Sequence, residues 1–109
     1  MTQLELNDTL TKTLNIPIAY GKFDDDRQMP PYLVFYRDEN ENIKADDVSY
    51  AKFEHIIVEL YVKHRNLEIE RKIEQMLEEN DIPFEVDEAY VSEEKLRIIK
   101  YYFYVNKEE

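Results

Sequence analysis

The sequence predicts an α+β fold: a mainly antiparallel sheet of four to five strands with two helices, in the order α-β-β-β-α-β-β. Three observations predict it. Apolar residues recur at helical spacing in two stretches, and β-rich runs fill the segments between and after them. The strand segments come in two adjacent blocks, which favours antiparallel pairing with the helices on one face. The 109 residues hold one glycine, Gly21, and no Gly/Ser linker, so they form one domain.

The first helix spans Thr2 to Asn15. Thr2 followed by Glu5 suits a capping box. Leu4, Leu10 and Leu14 form its stripe, with Leu6 at the edge, and Pro17 ends it. Ile18–Tyr20 reads as a short strand or extended lead-in. A loop follows from Gly21 to Pro31. Tyr32–Arg37 is rich in β-formers and apolar on both faces, so it belongs in the middle of the sheet or under cover on both sides.

Asp38 to Ser49 is polar and acidic, and about a dozen residues is long for a loop in a compact domain. It reads as a hairpin loop or as a flexible arm that orders on a partner. Tyr50 to Lys63 is a long strand. Ile56, Val58, Leu60 and Val62 make its core face; Phe53, His55, Ile57, Glu59 and Tyr61 make a mixed face, which is expected to be partly covered, as by a neighbouring subunit.

Asn66 to Asn80 is the clearest helix. Asn66 is its expected N-cap, with Glu68 and Glu70 at the positive end of the dipole. Leu67, Ile69, Ile73, Met76 and Leu77 form its stripe. Asn80 is expected to take the left-handed cap position. Strands at Phe84–Val91 and Leu96–Val105 follow, joined by the turn Ser92–Lys95.

Composition narrows the function. There is no cysteine, which excludes disulfides, thiolate chemistry and Cys-based zinc sites and fits a reducing compartment. No apolar run approaches the roughly 20 residues that span a bilayer, and no signal peptide is visible. The chain is therefore expected to be cytoplasmic and to have no membrane partner. The formal net charge of −11 repels phosphate, so DNA-backbone binding is not expected. Acidity at least supplies solubility. It also suits a partner with a basic surface, or a surface past which DNA slides.

Catalytic residues are not in evidence. The only serines, Ser49 and Ser92, fall in loops or turns. The two histidines, His55 and His64, lie an odd number of residues apart and belong to no motif; they read as ordinary surface or strand-end residues. One glycine excludes phosphate-cradling loops. Asp24-Asp25-Asp26 lacks the alternating ligands of a calcium loop and reads as a solvated run. No catalytic residue, metal site or cofactor is expected.

Tyrosine is what stands out. There are nine, and Tyr101, Tyr102, Phe103 and Tyr104 are consecutive. Tyrosine is enriched at interfaces because it gives large contact area at low entropy cost. It serves equally to line a small core with its hydroxyl reaching the surface. The expected interface residues are the acidic stretch Asp38, Glu39, Glu41, Asp46 and Asp47 with Tyr50, and the aromatic residues Tyr61, Tyr101, Tyr102 and Tyr104.

Several segments carry a resemblance: Ile18-Ala19-Tyr20-Gly21-Lys22-Phe23, Pro30-Pro31-Tyr32-Leu33-Val34-Phe35-Tyr36, Ala45-Asp46-Asp47 with Tyr50, and Ile57-Val58-Glu59-Leu60-Tyr61. Leu67-Glu68 and Glu88-Ala89-Tyr90-Val91-Ser92-Glu93-Glu94-Lys95-Leu96 add to it. Together they resemble small proteins of phages and prophages of Gram-positive bacteria, and look like the tail completion (tail terminator) family of long-tailed phages. The resemblance implies an α+β ring subunit, in a hexamer, that caps the tail tube and joins it to the head connector or stopper. DNA would be passing cargo, and no cofactor would be needed. The protein would reside in the host cytoplasm during assembly and then in the virion. The alternative is a small acidic phage protein that inhibits a host nucleic-acid-binding enzyme by DNA mimicry.

Overall fold

The computed structural model describes residues 1–25, 28–39 and 52–107. The elements are α1 (Gln3–Thr13), β1 (Ile18–Tyr20), β2 (Tyr32–Arg37), β3 (Phe53–Val62), α2 (Leu67–Glu79), β4 (Phe84–Val91) and β5 (Leu96–Asn106). They follow the predicted order. The five strands form one sheet in the order β1-β2-β3-β5-β4. Three neighbouring pairs are antiparallel, and β1 runs parallel to β2.

Both helix starts form as their sequences dictate. The Thr2 hydroxyl accepts from the Glu5 amide at 3.3 Å, and the Glu5 carboxylate accepts from the Thr2 amide at 3.3 Å, which completes the capping box. The Asn66 side chain accepts from the Ile69 amide at 3.1 Å. The helix ends differ slightly from expectation. Leu14 is already extended, so α1 stops before it. The left-handed residue after α2 is Asp81 (φ 56°), one beyond Asn80. Asn80 instead caps the Met76 carbonyl through its side-chain amide at 2.8 Å.

The core lies between the helices and one face of the sheet. Leu6 and Leu10 descend from α1, Leu14 from the residue just past its end, and Ile69, Ile73, Met76 and Leu77 from α2. They meet Leu33 and Phe35 of β2, the predicted face Ile56, Val58, Leu60 and Val62 of β3, and Ile99, Tyr101, Phe103 and Val105 of β5. The α1 stripe is corrected: Leu6 is fully buried and Leu4 is exposed. Leu6 and Leu10, four residues apart, share one helix face, whereas Leu4 falls off it.

On β2, Leu33 and Phe35 face the helices while Val34 is buried on the opposite face. The strand is interior to the sheet, between β1 and β3, and is covered fully on the helix face and in part on the other, where Val34 is buried. Part of the cover is the preceding loop, where the Phe23 ring meets Tyr32 edge-on at 5.5 Å.

Candidate functional site

Side chains alternate across a strand, so the face opposite the helices can be read from the register. Four rows cross it. Tyr32, Tyr61, Ile98 and Ala89 make one, and Val34, Glu59, Lys100 and Asp87 the next. Tyr36, Ile57, Tyr102 and Glu85 make the third, and His55 and Tyr104 the fourth. No described helix covers this face.

Its aromatic rings are ordered by one another. Tyr32 stacks on Tyr61 at 4.7 Å with planes 14° apart, and His55 lies 4.7 Å from Tyr104. Tyr104 stands between two hollows. One of about 430 Å³ is lined by Met1, Phe53, Ile82 and Pro83 among others. The other, of about 540 Å³, includes His55, Phe84, Glu85 and Tyr102. Phe53 and Tyr104 are exposed at these rims.

Glu59 occupies the middle of the face and is only 8% exposed. A buried carboxylate must have its lone pairs engaged. Tyr61 donates to Oε1 at 2.8 Å and Tyr36 donates to Oε2 at 2.9 Å, with the Lys100 ammonium 3.8 Å from Oε2. Burial first, and then the bond to the Glu59 carboxylate, push both hydroxyls far above the ordinary tyrosine value. Sequence reading had placed Glu59 on a mixed face and missed this role. The signal was there: a lone acid between Val58 and Leu60, with Tyr61 two positions on the same side.

The expected interface residues separate into four groups. Glu41, Asp46, Asp47 and Tyr50 lie outside the described residues. Asp38 and Glu39 begin the acidic stretch, and Asp38 is tied to the sheet: its amide donates to the His55 carbonyl at 2.9 Å, and its carboxylate lies 3.2 Å from His55 Nδ1. The Glu39 carboxylate sits 3.8 Å from Arg37 Nε. Tyr61, Tyr102 and Tyr104 share the open face.

Tyr101 is a correction. It points into the core at 0% exposure, with its ring 5.9 Å from Phe84, and its hydroxyl donates to Glu74 Oε2 of α2 at 3.2 Å. The register makes this unavoidable, because Tyr101 shares a face with Ile99, Phe103 and Val105. It is unavailable to a partner in the folded chain. His64 lies exposed just past the end of β3, a strand-end residue as expected.

Burial, reinforced by the charges of Glu74 and Glu70, pushes the Tyr101 hydroxyl well above its ordinary value of 10. A group raised by folding stabilises fully below its unfolded pKa, and that stability is lost as pH rises toward the folded value. The chain is therefore expected to lose stability above pH 10, at about 1.4 kcal/mol per pH unit from Tyr101 alone. Urea unfolding at pH 8, 10 and 11 checks this. A midpoint that holds steady to pH 11 would contradict it.

Among the described residues, no three His, Asp or Glu side chains converge to hold a metal ion, and no helix is long and apolar enough to cross a membrane. Comparison with protein-family models, curated proteins and solved structures gave no match.

Proposed function

We propose that this chain is a virion structural protein of a phage neck: a ring subunit that terminates the tail tube and joins it to the head connector. The observation that carries the reading is the one-sided sheet. Helices cover one face, and the other presents ordered tyrosines around a locked carboxylate. An ordered aromatic face with hydrogen-bonding tips suits a protein partner. The resemblance of the quoted segments supplies the setting, with the tail tube and connector or stopper proteins as partners and further copies of the chain completing a hexamer. The site of action is then the host cytoplasm during assembly and the virion afterwards. The net charge of −11 fits a ring through which DNA passes without sticking. Among the described strand residues of the open face, Lys100 is the one Lys or Arg, set between Glu59 and Asp87.

Mass measurement with and without purified tail tubes tests the reading. Six copies of the 13.3 kDa chain are expected at the tube end. Replacing Tyr102 and Tyr104 together with serine is expected to abolish that assembly while shifting the thermal midpoint by only a few degrees, since both lie outside the core. A wild-type chain that ignores tail tubes, stays monomeric and competes with nucleic acid for a basic enzyme in a salt-sensitive way would favour DNA mimicry instead.

A further inference from the structure

The sheet ends in two strands whose outer edges pair with nothing among the described residues, β1 and β4. An uncovered edge is a template for another strand, and proteins usually blunt it. Here β4 is eight residues long, pairs with β5 in unbroken register and contains no proline. One blunting device is present: Asp87 Oδ1 accepts from the Glu88 amide at 2.9 Å.

The β4 edge also leaves apolar surface uncovered on the side facing the helix layer. Val86 and Tyr90 share that side with Phe84 and are 51% and 57% exposed. The opposite edge has a matching defect on the same side of the sheet. Tyr20, which shares the helix side with Phe35, is 51% exposed, and Leu4 of α1 beside it is 61% exposed.

Strand direction decides how these edges can meet. β1 runs with β2, β2 and β5 run against β3, and β4 runs against β5. So β4 runs with β3, and β1 runs against it. If a second copy continues the sheet without being turned over, its β1 falls antiparallel beside β4, and its helices stay on the same side. That brings Tyr20 and Leu4 of one copy over Val86 and Tyr90 of the other.

Charge separates this arrangement from the competing one. The β4 segment carries Glu85, Asp87 and Glu88, whereas β1 is uncharged and is followed closely by Lys22. A two-fold β4–β4 pair must oppose residues of the same face, so near the strand centre it would set Asp87 against Asp87 of the other copy, or Glu88 against Glu88. Like charges directly opposite destabilise a strand pair. A β1–β1 pair has three residues to offer.

We infer that copies of this chain associate head to tail, with the β4 edge of one copy set against the β1 edge of the next. The partner's identity as a second copy rests on the ring reading; the choice of edges rests on strand direction, exposure and charge. Such a contact is heterologous, so it closes into a ring or continues as a filament according to its rotation.

The absence of cysteine makes the test clean. Ala19 on β1 and Ala89 on β4 both lie on the face away from the helices, near the proposed contact and outside its apolar patch. Ala19→Cys and Ala89→Cys chains, treated with a short bis-maleimide with and without tail tubes, should cross-link when mixed and not when alone. A chain carrying both changes should give a ladder. Adding Tyr90→Glu to the Ala89→Cys chain should lower the mixed yield by about tenfold or more. Efficient cross-linking of Ala89→Cys alone would show β4–β4 pairing and overturn the inference. An oligomer by mass without mixed cross-links would overturn the edge assignment while leaving the ring reading intact. A monomer that never cross-links, even on tail tubes, would sink both.

Discussion

Tyr101→Ala is expected to remove about 3–5 kcal/mol of stability, the cost typical of deleting a large buried aromatic ring. Domains of this kind hold only about 5–15 kcal/mol in total, so the variant would be partly or wholly unfolded at 37 °C. Tyr101 sits mid-strand at 0% exposure, against Phe84 and beneath α2. Tyr101→Phe separates the ring from the hydroxyl. It keeps the packing and loses only the bond to Glu74, at about 1 kcal/mol. It should also remove the Tyr101 share of the alkaline loss. Urea unfolding followed by circular dichroism reads all three. Tyr104→Ser is the control, because Tyr104, three residues further along β5, points to the opposite face. If Tyr101→Ala unfolded no more easily than Tyr104→Ser, the assignment of the two faces of β5 would be wrong.

That contrast also marks how far the sequence could be read. Strand positions and their internal faces follow from local pattern, and the core face of β3 was legible as Ile56, Val58, Leu60 and Val62 because the period of two needs no tertiary information. The run Tyr101-Tyr102-Phe103-Tyr104 hid the same alternation, since every position is aromatic. Lys100 resolves it: the lysine shares a parity with Tyr102 and Tyr104, and the apolar residues Ile99 and Val105 share one with Tyr101 and Phe103. What the chain could not announce is which strands become neighbours. β1 is three residues long, and its parallel pairing with β2 depends on the course of the connecting segment, not on its own composition. The exposure of Val86 and Tyr90 is likewise a consequence of β4 being last in the sheet, which local sequence does not encode. The stripe on α1 failed for a different reason. With leucines at 4, 6, 10 and 14, two registers compete, and the packing of Leu6 against the sheet selects one.

Glu59→Ala is expected to cost about 2–4 kcal/mol, because two tyrosine hydroxyls lose a charged acceptor within a mostly covered row. The Lys100 contact at 3.8 Å adds little to this, being loose and partly solvated. The consequence reaches past stability. Tyr36 and Tyr61 flank Glu59 from β2 and β3, and the carboxylate fixes the direction of both hydroxyls across the face. Glu59→Gln keeps the size and one acceptor oxygen but removes the charge, so it distinguishes shape from electrostatics. Burial alone still raises the two hydroxyls in that variant, yet part of the rise came from the carboxylate. A titration followed by tyrosinate absorbance should therefore show Tyr36 and Tyr61 ionising at lower pH in Glu59→Gln than in the wild type. Tyr101, whose charged neighbours are Glu74 and Glu70, should titrate unchanged. Lower pKa values for the first pair bring their ionisation closer to the unfolded value, so the variant should lose less stability between pH 10 and 11 than the wild type, from a lower starting point. Superimposable titration curves for the two proteins would mean that Glu59 does not hold the tyrosines, and that their order on the open face comes from ring packing alone.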